Sequence, residues 1–306
     1  MRSAALLEYE NPRGCDPGAS ASLDQMDAFS NPRRSGGALF LTECLNPSPS
    51  SSERDGPSVR LHVATYNIHK GFSQFNRRLM IHELRDHLRV LDADIIFLQE
   101  VQGQHHRHAA RFEEWPDEPQ YEFLADEIWN DYAYGRNAVY DHGHHGNAIL
   151  SRYPILRAEN EDISTHNLEN RGMLHCEMEI PGFGQPLHCV CVHLSLHERG
   201  RRHQVGALIE RIHREVPERA PLVVAGDFND WRNLAGRRLA EALGLSEALA
   251  DHWGRPARSF PSAFPLLRLD RIYVRGFRVG RTEAHRGRAW ARLSDHAALS
   301  AHLQFD

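Results

Sequence analysis

Hydrophobic and polar positions follow two regimes along the chain. Over residues 1–57 no period holds. Asn11-Pro12-Arg13-Gly14, Asp16-Pro17-Gly18, Ser35-Gly36-Gly37 and the tract 46–53 interrupt short apolar patches such as Ala38-Leu39-Phe40-Leu41. Clustered Gly, Pro and Ser without periodicity predicts a flexible N-terminal extension. From residue 58 to 306 the pattern becomes that of an α/β domain. Residues 60–66 form a β-rich run. Ile81, Leu84, Leu88 and Leu91 fall at helical spacing and predict an amphipathic helix over 77–91. Apolar runs at 94–99, 147–151, 173–180, 187–194, 222–225, 271–274 and 297–303 predict strands. Val205, Leu208, Ile209, Ile212 and Val216 mark a second helix, ended by Pro217.

Composition narrows the class. The chain has 306 residues, with 36 Lys+Arg against 41 Asp+Glu. A formal charge of −5 argues against a surface built throughout to coat nucleic acid. At 41% hydrophobic and 25% charged the chain reads as globular. No apolar run reaches the roughly 18 residues of a membrane-spanning helix, and the N-terminus lacks the apolar core of a signal peptide. Five cysteines (Cys15, Cys44, Cys176, Cys189, Cys191) make no disulfide framework. These features predict a cytoplasmic protein, taken as a monomer. Charge is uneven: residues 92–131 hold 11 acids and 2 bases, whereas 255–292 hold 10 arginines and 2 acids. The basic segment is either a solvated face or a means of steering an anionic substrate. Lys70 is the only lysine, and 21 histidines first suggest a histidine-rich metal protein.

The candidate chemistry lies where hydrophobic runs end. Five segments share this arrangement: Thr65-Tyr66-Asn67-Ile68-His69, Phe97-Leu98-Gln99-Glu100, Val192-His193-Leu194, Gly226-Asp227-Phe228-Asn229 and Leu293-Ser294-Asp295-His296. Ligand sites of α/β sheets gather at strand ends. Singly, each has a plain structural reading: Glu100 as a solvated strand end, His193 as a core histidine, Asp227 with Asn229 as a turn. Together they form an oxygen-rich set without cysteine, suited to a hard divalent ion such as Mg²⁺, with Mn²⁺ as a substitute.

The segments TYNIHKG (65–71), LQEV (98–101), HGNAILSRYPI (145–155), CVHLSL (191–196), VVAGDFNDW (223–231), LDRIYV (269–274) and LSDHAAL (293–299) occur in an order that resembles the endonuclease/exonuclease/phosphatase, or DNase-I-like, superfamily. NIHKG and GDFNDW look like its bacterial YbhP-like branch. The resemblance implies a four-layer α-β-β-α sandwich of two mixed sheets and metal-dependent hydrolysis of phosphodiesters or phosphomonoesters. Glu100 and Asn67 would hold the metal. Asp227 would orient or deprotonate the attacking water, with Asn229 holding the phosphate or the water. Asp270 would support His296 on the phosphate, Asp295 would lie near the metal, and His193 would be a second phosphate donor. Asn147, Arg171 and Lys70 are weaker phosphate-binding candidates.

The chain departs from apurinic endonucleases at His69, where they carry an acid, and at Asp230-Trp231, where they carry a proline. Abasic repair is therefore disfavoured. The substrate stays open between nucleic acid and a lipid or other small phosphodiester. Phe260, Phe264, Leu266 and Leu267, among Pro256, Pro261 and Pro265, offer either an apolar rim for lipid or a packed loop. A catalytically inert phosphate-binding module is the alternative of another class.

Overall fold

The computed structural model describes residues 59–305 except 127, 167 and 168; the extension expected over 1–57 lies outside the described residues. In chain order the elements are β1 (Val59–Asn67), α1 (Ile81–Leu91), β2 (Ile95–His105), α2 (His106–Arg111), α3 (Gln120–Ala125), β3 (Asp131–Tyr140), β4 (Gly143–Ser151), β5 (Ile155–Asp162), β6 (Gly172–Met178) and β7 (Leu187–His193). Then follow α4 (Glu198–Glu215), β8 (Leu222–Asp227), α5 (Leu234–Leu243), β9 (Ser246–Glu247), α6 (Ala248–Trp253), β10 (Asp270–Arg275), β11 (Arg278–Ala284), α7 (Trp290–Leu293) and β12 (Leu299–Phe305).

The strands form two six-stranded sheets, ordered β11-β12-β1-β2-β4-β3 and β5-β6-β7-β8-β10-β9. Each holds one parallel pair, β1 with β2 and β7 with β8, bridged by α1 and α4 respectively; all other pairings are antiparallel. Alternation along these strands buries both faces. Leu61, Val63, Ile95 and Phe97 meet Cys189, Cys191, Val223 and Ala225 between the sheets. On one outer side Ala64, Tyr66, Ile96 and Leu98 pack beneath Leu84 and Leu88 of α1. On the other, Val190, Val192 and Val224 pack beneath Val205, Leu208 and Ile212 of α4. The result is the expected helix–sheet–sheet–helix layering. Among the described helices none is long and apolar enough to cross a membrane.

Element boundaries depart from the periodicity for identifiable reasons. The first helix starts at Ile81 rather than 77, because two short 3₁₀ turns, His69–Gly71 and Gln74–Asn76, occupy the preceding residues. The second begins at Glu198, ahead of its apolar stripe. Its first turns are held by polar groups instead: Arg201 donates to the Ser195 and Leu196 carbonyls, and Gln204 accepts from the Ser195 N–H. Strand β2 does not end at Glu100. It continues to His105 across a bulge.

Candidate active site

Four of the key side chains sit at or near the C-terminal ends of the two parallel pairs. Asn67 closes β1 and pairs in register with Gln99, the neighbour of Glu100; His193 closes β7 and pairs with Asp227, the last residue of β8. Antiparallel partners bring their N-terminal ends to the same edge. Asp270 opens β10 directly opposite Asp227, and Asp295 and His296 precede β12. The chain segments are far apart in sequence, but sheet topology places them together.

Local backbone geometry aims these side chains. Glu100 lies at the β2 bulge with φ 57°. A bulge re-aims a side chain, and a left-handed non-glycine residue is held only when its surroundings over-determine it. His69, Lys70 and Gly71 follow β1 with φ 46°, 59° and 75°. This turn brings His69 and Lys70 back over Glu100: Lys70 Nζ stands 3.7 Å and His69 Nδ1 4.0 Å from Glu100 Oε2. Gly226 of β8 pairs with Val192 of β7 only without a side chain, since a Cβ there would lie 1.9 Å from the Val192 carbonyl oxygen.

The polar contacts converge on Asp227. Its Oδ2 lies 3.5 Å from His193 Nε2 and 3.7 Å from His296 Nε2, and accepts from Asn67 Nδ2 at 3.2 Å. Its Oδ1 accepts from the Asn229 N–H at 2.9 Å. Asn229, at φ 49°, donates its own amide to the Leu194 carbonyl. Behind His296, Asp270 Oδ2 is 2.8 Å from Nδ1. On the other side Asn67 Nδ2 reaches Glu100 Oε1 at 3.3 Å, and Asp295 Oδ1 is 3.4 Å from His69 Nδ1. Ser294 ties the halves together, donating to the Asn67 carbonyl and accepting from the His296 N–H.

The two imidazoles facing Asp227 have opposite preferences. Burial lowers the pKa of His296, but Asp270, Asp227 and Asp295 outweigh it and raise it to about 10. Burial also lowers His193, which has the Arg171 guanidinium beside it and is held well below its ordinary range. Asp227 is pushed up to about 6 by burial, an effect that the cationic His296 partly offsets. Burial alone would raise Glu100, yet surrounding positive charge holds it at about 2. The groups responsible are, in order of effect, His193, Lys70, His69 and His296.

Of the weaker candidates, Lys70 lies at the site. Arg171 lines, with His145, Ser195 and Leu196, an adjoining cavity of about 300 Å³. Asn147 is placed differently. It is buried, and its amide donates to the Gly172 and Cys191 carbonyls, tying β4 to the opposite sheet. Its amide N–H groups thus serve the sandwich rather than an open phosphate face. Most of the 21 histidines lie outside this constellation. Sequence reading did not find Ser294 as a tie, nor Ser259, whose hydroxyl accepts from the Leu269 and Asp270 N–H groups. It also missed Arg271, buried with its guanidinium on the Asp270 and Asp230 carbonyls. Ser294 and Arg271 lie inside matched motifs, which is the only signal they give.

The model of the Endonuclease/Exonuclease/phosphatase family matches residues 64–296. The uncharacterized protein YbhP of Escherichia coli K12 is 53% identical over 241 residues, covering 79% of this chain and 95% of YbhP. Among solved structures, an endonuclease/exonuclease/phosphatase from Beutenbergia cavernae superposes with a TM-score of 0.64 at 20% identity, covering 80% of this chain and 72% of that one. The mannosyl-6-phosphatase Bt3783 of Bacteroides thetaiotaomicron gives 0.61 at 18% identity, covering 79% and 99%. The chain belongs to the endonuclease/exonuclease/phosphatase family, on its YbhP-like branch.

Proposed function

We propose that this protein hydrolyses phosphodiester bonds by in-line attack of water, assisted by a divalent cation. The observation that carries the reading is the Asp227 carboxylate. One of its oxygens faces two imidazoles and the Asn67 amide, and one of those imidazoles is backed by Asp270. That is a proton-handling and phosphate-binding arrangement rather than a core network, because it converges at a sheet edge. The family membership and the phosphatase neighbour on the same fold support phosphoester hydrolysis in general.

The donor chemistry fits a hard cation. Glu100 and Asp295 offer partly exposed carboxylates, Asn67 lies between Glu100 and Asp227, and the described cysteines are all buried away in the core. Asp227, Asp270 and His296 also place one ligand atom each within 4.8 Å of one another. There, however, Asp270 is already taken up by His296 Nδ1, and a metal on His296 would have to replace the Nε2 proton that the surrounding carboxylates hold in place. Glu100, with Asn67 and Asp295, is therefore the better holder. A Mg²⁺ or Mn²⁺ bound there would neutralise developing charge on a phosphate oxygen.

The chain's own residues do the rest. Asp227 accepts the proton of the attacking water, and the Asn229 N–H fixes the rotation of its carboxylate. His296, held by Asp270 as a donor, binds a phosphate oxygen; His193 donates to a second. Arg171 adds positive charge on the same side. Purified protein with Mg²⁺ should hydrolyse bis-p-nitrophenyl phosphate, and Asp227→Asn should lower kcat by about 10²–10⁴-fold with the fold intact. Equal rates in wild type and variant would refute the role of Asp227. No hydrolysis of this or any other phosphodiester would refute the reading.

A further inference from the structure

Residues 259–267 form a tight hairpin beside the site. Ser259 and Phe260 donate to the Leu267 carbonyl, and Leu266 and Leu267 donate back to that of Phe260. The hairpin is braced on the residues that carry the chemistry. Ser262 donates to the Asp295 and Ser294 carbonyls, Ala297 donates to the Ser259 carbonyl, and the Phe260 ring packs 5.0 Å from that of His296. Phe260 is therefore a packed residue. The tip is the opposite: Phe264 is 72%, Leu266 51% and Leu267 39% exposed. A contiguous apolar tip held in water by a rigid base marks an interaction surface.

Its surroundings are cationic. Arg255 and Arg258 are exposed on the entering strand of this loop, and Arg268 is half-buried on the leaving one. Arg268 uses its Nε on the Pro256 carbonyl, and Arg286 reaches the Arg258 carbonyl. These are backbone contacts, and no acid among the described residues pairs with these arginines. Crowding shows in Arg268, whose pKa is lowered by burial and then by Arg258, Arg271 and Arg255. The two acids of segment 255–292 are engaged elsewhere, Asp270 on His296 and Glu283 on Arg281 and His285.

We propose that this hairpin docks the protein on an anionic lipid surface, the apolar tip entering the headgroup boundary and the arginines meeting lipid phosphates. Both halves of the feature suit that partner. Nucleic acid would use the arginines and stack a base on Phe264, but it gains little from the exposed Leu266 and Leu267 beside it, which an acyl boundary buries together with the ring. Docking there would set the edge bearing Asp227 and His296 beside the headgroups.

Vesicle flotation tests this without any turnover, so its outcome is separate from that of the hydrolysis assay. Wild type should float with phosphatidylcholine vesicles containing phosphatidylglycerol and not with phosphatidylcholine alone. The variant Phe264→Ser/Leu266→Ser/Leu267→Ser should lose binding by at least about tenfold while keeping the wild-type melting curve. Arg258→Gln should lose about fivefold. Wild-type protein that floats with neither vesicle, or a triple variant that floats as well as wild type, overturns the proposal. So does a single-stranded DNA complex that the triple variant loses while wild type never floats, which would assign the surface to nucleic acid.

Discussion

The β1–α1–β2 unit and the β7–α4–β8 unit share one topology and end at one edge, yet they equip it differently. The first brings Asn67 and Glu100, with His69 and Lys70 folded back by a left-handed turn; its carboxylate is partly open to solvent. The second brings His193 and Asp227, both buried, with hydrogen bonds that fix Asp227 from each side. A cation that exchanges ligands with water suits the open end. Proton transfer and charge-assisted hydrogen bonds gain strength at the desolvated end. Under the proposed reaction the same supersecondary unit would serve two chemistries according to how much water its last residues keep.

The closed end should be the less forgiving in structure. Gly226→Ala, which drives a methyl group into the Val192 carbonyl, should cost about 3 kcal/mol in urea denaturation. A cost under about 1 kcal/mol would mean that β7 and β8 are not held as tightly as their spacing implies. In function, Asp270→Asn should lower kcat about 10–100-fold while leaving thermal unfolding nearly unchanged. The double variant Asp270→Asn/His296→Gln should then be no slower than His296→Gln alone, because Asp270 acts through His296. Additive losses would give Asp270 a role of its own.

The second unit also carries an acid-sensitive point under α4. His175 of β6 and His188 of β7 contact each other at 3.1 Å, facing Arg211 of α4 and Arg157 and Glu159 of β5. Burial, followed by His188, Arg211 and Arg157, lowers His175 to about 3. Below its unfolded value near 6.5, the unfolded chain binds the proton that the folded one refuses. Stability is thus complete above that pH and falls as the pH drops toward 3. At pH 5 the loss should be about 2 kcal/mol. His175→Asn should flatten that dependence between pH 7 and pH 5; an unchanged slope would clear His175.

How much of this was legible in the sequence depends on the physical signal each residue leaves. Strands β1, β2, β7 and β8 announce themselves because burial on two faces demands near-continuous apolar runs. Motif order then implied the company of Asn67, Glu100, His193, Asp227 and His296, which the structure brings together. The inward turn at His69-Lys70 and the bulge at Glu100 are backbone conformations that leave no hydrophobic pattern, so Glu100 read as a strand end. Arg201 and Gln204 start α4 through hydrogen bonds to a loop that periodicity does not register. Asn147 shares a motif with site-lining residues but spends its amide on Gly172 and Cys191, a distinction only coordinates make. The exposure of Phe264, Leu266 and Leu267, left open by sequence, was decided by packing: Phe260 alone of that group turns inward, onto His296.

If the open end holds the cation and the closed end handles phosphate, the two can be separated in one titration. Steady-state hydrolysis of bis-p-nitrophenyl phosphate should be followed against Mg²⁺ concentration for wild type, Glu100→Gln and His193→Gln. Glu100→Gln should raise the half-saturating Mg²⁺ concentration about tenfold or more. His193→Gln should lower kcat at saturating Mg²⁺ and leave the half-saturation point where it is in wild type. A shift of equal size in both variants, or in His193→Gln alone, would contradict the division of labour between the two ends.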